Sequence, residues 1–211
     1  MKTRFVAFSV FVLLLFTSVN TSFAQDVTLG PRLSGNFNIY NQTGLVGSYN
    51  GIGIGIGGTV DISFSKHIGI MTNLTFFDMR SFSSSNTAQN QTTESSLSLS
   101  YLTLDPMFKL EFSGFYIVAG PSLGVKLGSS GTTTVTAAGA TPNVTTLNLD
   151  TQSVIFDIVA GTGYSFTLTP NSMFMGVDFT VYIPISNTYN FPGTPNSVLT
   201  LKLGCSLKFQ L

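Results

Sequence analysis

Residues 51–64 read GIGIGIGGTVDISF, and their alternation decides the fold. Apolar side chains occupy one phase of the stretch, while glycine, threonine, aspartate and serine occupy the other. A period of two predicts a β-strand with one apolar face and one small, polar face. The stretch is longer than an ordinary globular strand and suits a tilted strand that crosses a bilayer, which takes about 9–11 residues.

The charge content separates this chain from soluble proteins. Only 9% of its residues are charged, against about 25% in a soluble domain, although the hydrophobic fraction of 43% is ordinary. Acidic and basic residues balance at nine each, so nucleic-acid binding has no electrostatic support. No apolar run after residue 24 approaches the length of a membrane helix, which takes about 18 residues or more. Because only helices and closed barrels cross hydrocarbon, a β-barrel is predicted.

The first residues predict export. Lys2 and Arg4 precede an apolar core at 5–16, and Ser22-Phe23-Ala24 forms a small-x-small cleavage site. We therefore expect a signal peptide at 1–24 and an outer-membrane β-barrel at 25–211, located in the outer membrane of a bacterial cell. The expected partners are outer-membrane lipid and, during biogenesis, the barrel-assembly machinery.

The same alternation recurs along the rest of the chain. It predicts eight strands, near 27–40, 51–64, 68–81, 97–112, 115–127, 153–166, 173–183 and 197–211. Short turns at 65–67, 113–114 and 167–172 alternate with longer loops near 41–50, 83–95, 128–150 and 184–196. This asymmetry predicts an all-β, eight-stranded, antiparallel up-and-down transmembrane β-barrel whose short turns face the periplasm.

Two features leave the strand details open. The apolar phase of the fourth predicted strand changes near Tyr101-Leu102, which indicates a β-bulge. Pro31, Pro106 and Pro121 lie inside predicted strands, although proline cannot donate a ladder hydrogen bond. We expect bulges to accommodate these prolines as well.

Three segments resemble strands of the PorT-type outer-membrane β-barrel domain family. They are YLTLDPMFKLEF at 101–112, FYIVAGPSLGVKL at 115–127 and FDIVAGTGYSF at 156–166. The matching residues are Tyr101, Leu102, Pro106, Lys109, Gly120, Pro121, Gly124, Asp157, Gly161 and Gly163. The resemblance implies a small bacterial outer-membrane barrel, mostly without an assigned activity in such families, and it permits an accessory role in secretion.

Seven charged residues fall on the polar phase of the predicted strands and form a predicted lumenal charge network. They are Arg32, Asp61, Asp105, Lys109, Asp157, Asp178 and Lys202. Buried charges must be paired and hydrogen-bonded, and three basic against four acidic residues are nearly balanced. We expect Asp178 to pair with Lys202 and Arg32 with Asp61, because these residues lie on neighbouring strands. The alternative is a narrow polar path through the barrel.

No residue pattern predicts catalysis, a cofactor or a metal. The only histidine, His67, lies in a predicted periplasmic turn, whereas barrel enzymes of the outer membrane resemble one another in placing their sites near the outer rim. The glycines of residues 51–58 alternate with isoleucine inside a strand, so they lack the strand–turn–helix context of a phosphate loop. Cys205 is the only cysteine, which excludes an intramolecular disulfide. We expect a protein that is not an enzyme.

Three classes of function remain. The first is a small barrel with a structural or surface-interaction role, a lumen closed by salt bridges, and outer loops, above all 128–150, that carry recognition. The second is transport, as a narrow porin-like channel or a secretion accessory. The third is a soluble, lipocalin-like ligand binder, which would turn its apolar face inward and need a charged exterior.

Overall fold

A computed structural model describes residues 26–42, 49–88, 91–137, 141–147, 150–170, 172–190 and 196–211. The predicted signal peptide at 1–24 lies outside these residues. The described residues form nine strands: β1 (Asp26–Gln42), β2 (Tyr49–Ser63), β3 (Ile68–Ala88), β4 (Gln91–Phe112), β5 (Phe115–Ala137), β6 (Asn143–Leu147), β7 (Val154–Thr169), β8 (Met173–Pro184) and β9 (Asn196–Gln210). Within the same residues, no helix is long and apolar enough to cross a membrane.

Eight of the strands close into an antiparallel ring. Each strand pairs with its neighbour in the chain from β1 to β5, β5 then pairs with β7, and the ring closes through β8, β9 and β1. The short β6 pairs with the outer part of β5 and stands outside this ring. The predicted eight-stranded antiparallel barrel is therefore confirmed, with one additional strand beside it.

Apolar side chains face outward and polar side chains face the interior. In β2, Ile52, Ile54 and Ile56 are exposed on the outside, while Thr59 and Asp61 are buried inside. The other ring strands follow the same alternation, so a belt of leucine, isoleucine, valine and phenylalanine surrounds the barrel. A soluble lipocalin-like barrel has the opposite arrangement, and that alternative is wrong.

The inward glycines of β2 let the backbone of β3 approach closely. A Cβ atom at Gly53 would collide with the carbonyl oxygen of Met79 on β3. Gly58 has the outward phase of Ile52, Ile54 and Ile56, and the nearest atom to a Cβ there is the carbonyl oxygen of Gly30, at an ordinary 3.4 Å. Of these two glycines, only Gly53 is required by the contact between strands, whereas a Cβ atom fits at Gly58.

This difference gives a test of the strand packing. Gly53→Ala should lower the free energy of unfolding by about 1–3 kcal/mol, because β3 must move away from β2. Gly58→Ala should be neutral or stabilise the barrel by up to about 1 kcal/mol. Urea titrations followed by far-ultraviolet circular dichroism measure both variants, since the chain has no tryptophan. Equal stabilities of the two variants would contradict the close approach at Gly53.

The predicted bulge corresponds to a register shift between β4 and β5. Their pairing steps from Ser100–Gly128 to Tyr101–Lys126, so the irregularity predicted near Tyr101-Leu102 is confirmed, but the extra residue, Leu127, lies on β5. Leu99 and Tyr101 both stay buried inside the barrel, so β4 itself keeps its alternation. A second irregularity lies in β3, where Phe76 and Phe77 both face outward and the pairing steps from Thr75 to Asp78. From this bulge onward the even-numbered residues of β3 face the interior.

The prolines do not sit at bulges. Leu104 pairs with Leu123 and Phe108 pairs with Ala119, so the register of β4 and β5 is the same on both sides of a gap. Pro106 and Pro121 face each other at the centre of this gap, where neither can donate a hydrogen bond. Pro31 likewise lies where the ladder between β1 and β9 is interrupted without a register shift. The expectation of bulges at these residues is wrong.

The connections differ between the two ends of the barrel. The turns at 64–67 and 113–114 and the turn residues 170 and 172 share one end. The two residues of the tightest turn, Ser113 and Gly114, have φ angles of 52° and 88° that suit a two-residue hairpin. At the other end, most of the predicted loops 83–95 and 128–150 are strands. We call residues 84–88, 91–95, 128–137 and 143–147 the outer extension, because they continue β3–β6 as a four-stranded sheet beyond the ring.

Candidate functional site: the charged interior of the barrel

Among the described residues, ten charged side chains with balanced charge are buried inside the barrel. Five are basic and five are acidic: Arg32, Arg80, Lys109, Lys202, Lys208, Asp61, Asp78, Asp105, Asp157 and Asp178. All seven residues singled out from the sequence are among them. Buried charges are costly unless they are paired, so the contacts between these side chains decide what the interior can do.

Asp78 lies at the centre of the charged interior, where its carboxylate binds three other side chains. One of its carboxylate oxygens accepts hydrogen bonds from Lys202 Nζ at 2.9 Å and from Arg80 Nε at 3.2 Å. The other accepts a hydrogen bond from Asn36 Nδ2 at 2.8 Å. Because Asp78 is fully buried, each of these contacts takes place away from water. The carboxylate therefore binds two cations and an amide from β1, β3 and β9 together.

Arg80 connects opposite walls of the barrel. Its Nη2 atom donates to Asp157 Oδ2 on β7 at 3.1 Å, while its Nε donates to Asp78 on its own strand. The guanidinium carbon also lies 5.5 Å from the centre of the Tyr101 ring and 5.7 Å from that of Tyr182. These distances allow cation–π attraction. Arg80 is thus fixed by two carboxylates and two aromatic rings.

Asp105 is bound by hydroxyl groups. Ser122 Oγ donates to one carboxylate oxygen at 2.6 Å, and Tyr182 Oη donates to the other at 2.7 Å. Lys202 lies beside this arrangement, with Nζ 4.1 Å from the centre of the Tyr182 ring. Tyr182 therefore links Asp105 to the cations around Asp78.

A second cluster occupies the turn end of the interior. Asp61 Oδ2 accepts from Lys109 Nζ at 2.5 Å and from Lys208 Nζ at 3.0 Å. Lys109 also pairs with Glu111, at 2.5 Å. These side chains border a cavity of about 950 Å³, the inner vestibule, whose lining also includes Asp26, Lys66 and Gln210. Between this cluster and Asp78, Arg32 pairs with Asp178.

Aromatic and aliphatic side chains cover the outer end of the interior. This aromatic cap consists of Tyr40, Phe82, Leu99, Tyr101, Ile155, Tyr189 and Val198. The rings of Tyr40 and Phe82 stack with centres 5.2 Å apart, and Tyr189 meets Tyr40 edge-on at 5.5 Å. Burial raises the pKa of the Tyr189 phenol above its ordinary value. The cap is therefore an apolar layer above the ion pairs.

The predicted pairings are wrong, although the residues are buried together. Asp178 lies opposite Gly204 on β9 and pairs with Arg32 from β1, which reaches across the space that the glycine leaves. Asp61 lies opposite Thr28, four positions away from the partner of Arg32. Adjacent strands bring charges near each other, but only the register decides which ones meet.

Three further charges were missed from the sequence. Asp78 and Arg80 have the phase of the outward residues Ile68–Phe76 unless the bulge at Phe76-Phe77 is recognised. Two adjacent phenylalanines followed by charges on the apolar phase are the pattern that would have found it. Lys208 lies on the same polar phase of its strand as Lys202, and the sequence already indicated that it faces the interior.

The remaining predicted residues have structural neighbours. His67 lies in the turn at 64–67, where Nδ1 is 2.9 Å from the carbonyl oxygen of Glu111 and the ring stacks on Phe112. Cys205 faces outward on β9. Within the part of the chain that the structure describes, no group of three or more histidine, cysteine, aspartate or glutamate side chains is placed to hold a metal ion.

A closed antiparallel ring with an apolar outside and a charged inside defines the class of outer-membrane β-barrel proteins. The chain belongs to the outer membrane protein beta-barrel domain family, whose model matches residues 3–190. This family membership supports a location in the bacterial outer membrane. The narrower PorT-type resemblance stays a prediction.

Solved structures with a similar arrangement of strands come from several bacteria. Ail, the attachment invasion locus protein of Yersinia pestis, is 9% identical, with 88% of this chain and 99% of that chain covered and a TM-score of 0.39. Acinetobacter baumannii CarO2 is 9% identical, with coverage of 88% and 99% and a TM-score of 0.44. Neisserial surface protein A is 10% identical, with coverage of 88% and 97% and a TM-score of 0.35. No curated protein matches the sequence.

Proposed function

We propose that this chain is an outer-membrane barrel with a closed lumen that acts at the cell surface through its outer extension. One observation carries the proposal: of ten buried, charge-balanced side chains inside an eight-stranded ring, nine form ion pairs with one another and Asp105 is bound by two hydroxyl groups. The interior of an eight-stranded barrel is just wide enough for its own side chains to fill. An interior filled in this way supports a structural or surface-interaction role in preference to transport or catalysis.

The energetics of the network support closure. An ion that passes the centre must separate Asp78 from Lys202 and Arg80, or Arg80 from Asp157. Breaking a buried pair on one side costs about 3–5 kcal/mol, because an uncompensated charge is left away from water. The aromatic cap adds an apolar layer that also disfavours ions. The two barriers meet at Tyr101, which belongs to the cap and contacts the Arg80 guanidinium, so a change at Arg80 affects both.

The composition of the outer extension supports a role at the surface. Its strands are rich in serine and threonine, and Glu94 is its only charged residue among those the structure describes. Hydroxyl side chains form rows across the sheet, as in Ser84, Ser95, Thr133 and Thr145, which pair in succession from β3 to β6. Such a surface presents hydrogen-bonding groups and, with few charges, only a weak electrostatic field. The other partners we propose are outer-membrane lipid and the barrel-assembly machinery.

Closure is tested by conductance. The mature chain, folded in detergent and checked by heat-dependent gel mobility, should give no current steps in a planar bilayer, because the ion pairs and the cap block the lumen. A porin of known conductance, prepared in the same detergent, serves as the positive control. Reproducible current steps from the folded wild-type chain would contradict the closed lumen.

A narrow channel or a secretion accessory is the second candidate. The inner vestibule supports it, since about 950 Å³ of space at the turn end reaches Asp61 and Lys109. Such a channel would need the ion pairs around Asp78 to separate during opening. Voltage-dependent openings of the wild-type chain would favour this candidate over the closed barrel.

A further inference from the structure

The strand β6 has one free edge. Its five residues pair with 131–135 of β5, from Gly131 opposite Leu147 to Val135 opposite Asn143. Within the described ranges, no strand lies against its other side. Neighbouring residues of a strand direct their backbone N–H and C=O groups to opposite edges in turn. Part of the backbone hydrogen-bonding capacity of β6 therefore faces away from the barrel.

The free edge of β6 contains no charge and no proline. Natural edge strands are protected by short length, lysine, proline or inward-pointing charge; the five residues of β6 read NVTTL, and Pro142 stands directly before them. Val144 is 61% exposed, and Thr145 and Thr146 are exposed as well. The opposite edge of the outer extension, residues 84–88 of β3, reads SSNTA and has lower strand propensity than the β-branched residues of β6. Of the two edges, β6 is the better template for another strand.

We propose that β6 binds an extended, uncharged peptide segment of a partner protein by strand addition. This inference rests on the proposed surface function and names its mode of recognition. No charged side chain lies on β6 or on residues 131–135 opposite it, so main-chain hydrogen bonds and small side chains supply the contacts. A charged segment would gain no partner there.

A second copy in the same membrane does not fit this edge. Two barrels in one membrane are related by an axis along the membrane normal, and that rotation does not reverse the direction of a strand relative to the membrane. Symmetric antiparallel pairing of β6 with itself requires an axis in the membrane plane. That axis relates only copies on two facing membranes. A separate extended segment is free of this restriction.

The test uses the folded mature chain and a fluorescein-labelled peptide, GTTTVTA, which is the sequence of residues 131–137. This peptide copies the strand that already pairs with β6. Two further probes carry N-methyl groups on complementary alternate residues, so each lacks the N–H groups of one edge. Strand addition uses only one edge of the peptide. We therefore expect saturable anisotropy for the parent and for one methylated probe, with the other weaker by about tenfold or more.

Variants of the protein locate the binding edge. Val144→Pro and Thr145→Pro remove N–H groups that face opposite edges, so one of the two should lose binding with an unchanged circular dichroism spectrum. Thr145→Val, which keeps the backbone, and Asn86→Pro on the β3 edge should bind within about twofold of wild type. Equal binding of both methylated probes, no binding of the parent peptide, or loss of binding in Asn86→Pro would overturn the inference.

Two outcomes separate this inference from the proposed function. If the protein gives no current in the bilayer and does not bind the peptide, the closed barrel is supported and only strand addition is contradicted. Clustering of protein-bearing vesicles in the absence of peptide, if abolished by the same β6 variant, would assign the edge to a second copy on a facing membrane. That result would overturn the separate peptide partner.

Discussion

Asp78→Ala is expected to lower the free energy of unfolding of the barrel by about 3–5 kcal/mol, which would leave little folded protein under mild denaturation. The substitution removes the carboxylate that binds both Lys202 and Arg80, at 2.9 Å and 3.2 Å, in a fully buried position. Arg80 keeps Asp157, but Lys202 is left without an anionic contact within 4 Å. Urea titration by circular dichroism, with heat-dependent gel mobility as the second readout, measures the loss.

Two matched variants show whether the loss comes from the uncompensated cation. Lys202→Met in the Asp78→Ala background removes that cation and should recover a substantial part of the stability, because an apolar replacement of a buried pair is often tolerated. Glu94→Ala removes an exposed carboxylate of the outer extension and should change stability by less than about 0.5 kcal/mol. If Asp78→Ala is as stable as Glu94→Ala, the carboxylate does not hold the network.

The barrel could be predicted because one physical requirement acts on every strand. Lipid outside and polar side chains inside impose a period of two, and residues 51–64 carry it over their whole length. The charge content of 9% and the alternation of short and long connections gave the class and the strand number. These features depend on facing alone. Facing can be read from a single strand without knowledge of its neighbours.

The ion pairs could not be predicted because they depend on register. Arg32 and Asp178 meet across Gly204, which belongs to a third strand and contributes only space. Asp78 and Arg80 turn inward because of the bulge at Phe76-Phe77, and the phase before the bulge assigns them to lipid. Because of this one extra residue in β3, the sequence pattern assigned Asp78 and Arg80 to the wrong face. Adjacency of strands alone does not reveal such a change.

The outer extension was predicted as loops because serine and threonine are frequent in both kinds of structure. Residues 83–95 and 128–150 lack the apolar alternation that marks the membrane strands, since neither face meets lipid or a core. They form strands because β3, β4 and β5 continue their ladders past the ring, from Ser83–Ser96 to Ala88–Gln91. Threonine favours such strands once the ladder is started.

Arg80→Ala is expected to conduct ions across a planar bilayer, whereas the wild-type barrel is expected to give no current. The arginine joins Asp78 on β3 to Asp157 on β7, and its guanidinium lies between the rings of Tyr101 and Tyr182. Its removal breaks the connection between opposite walls and leaves a space lined by polar groups, which water enters more readily than an apolar cavity. Single-channel recordings of the refolded variant in a planar bilayer should show current steps that wild type lacks.

The sign of the remaining charge gives the sharper form of this prediction. Without Arg80, the ten buried charges become five acids against four bases, and Asp157 loses its ion-pair partner, so the current should favour cations. Asp78→Ala leaves the opposite excess, and any current through it should favour anions. Lys126→Ala, which changes a lysine bound to Thr151 above the network, should give no current.

A folded, inserted Arg80→Ala variant without current would mean that the aromatic cap alone closes the lumen, because the cap is then the layer that remains intact. Combining it with Phe82→Ala would then be required for conductance, and silence of that double variant would contradict closure by these side chains.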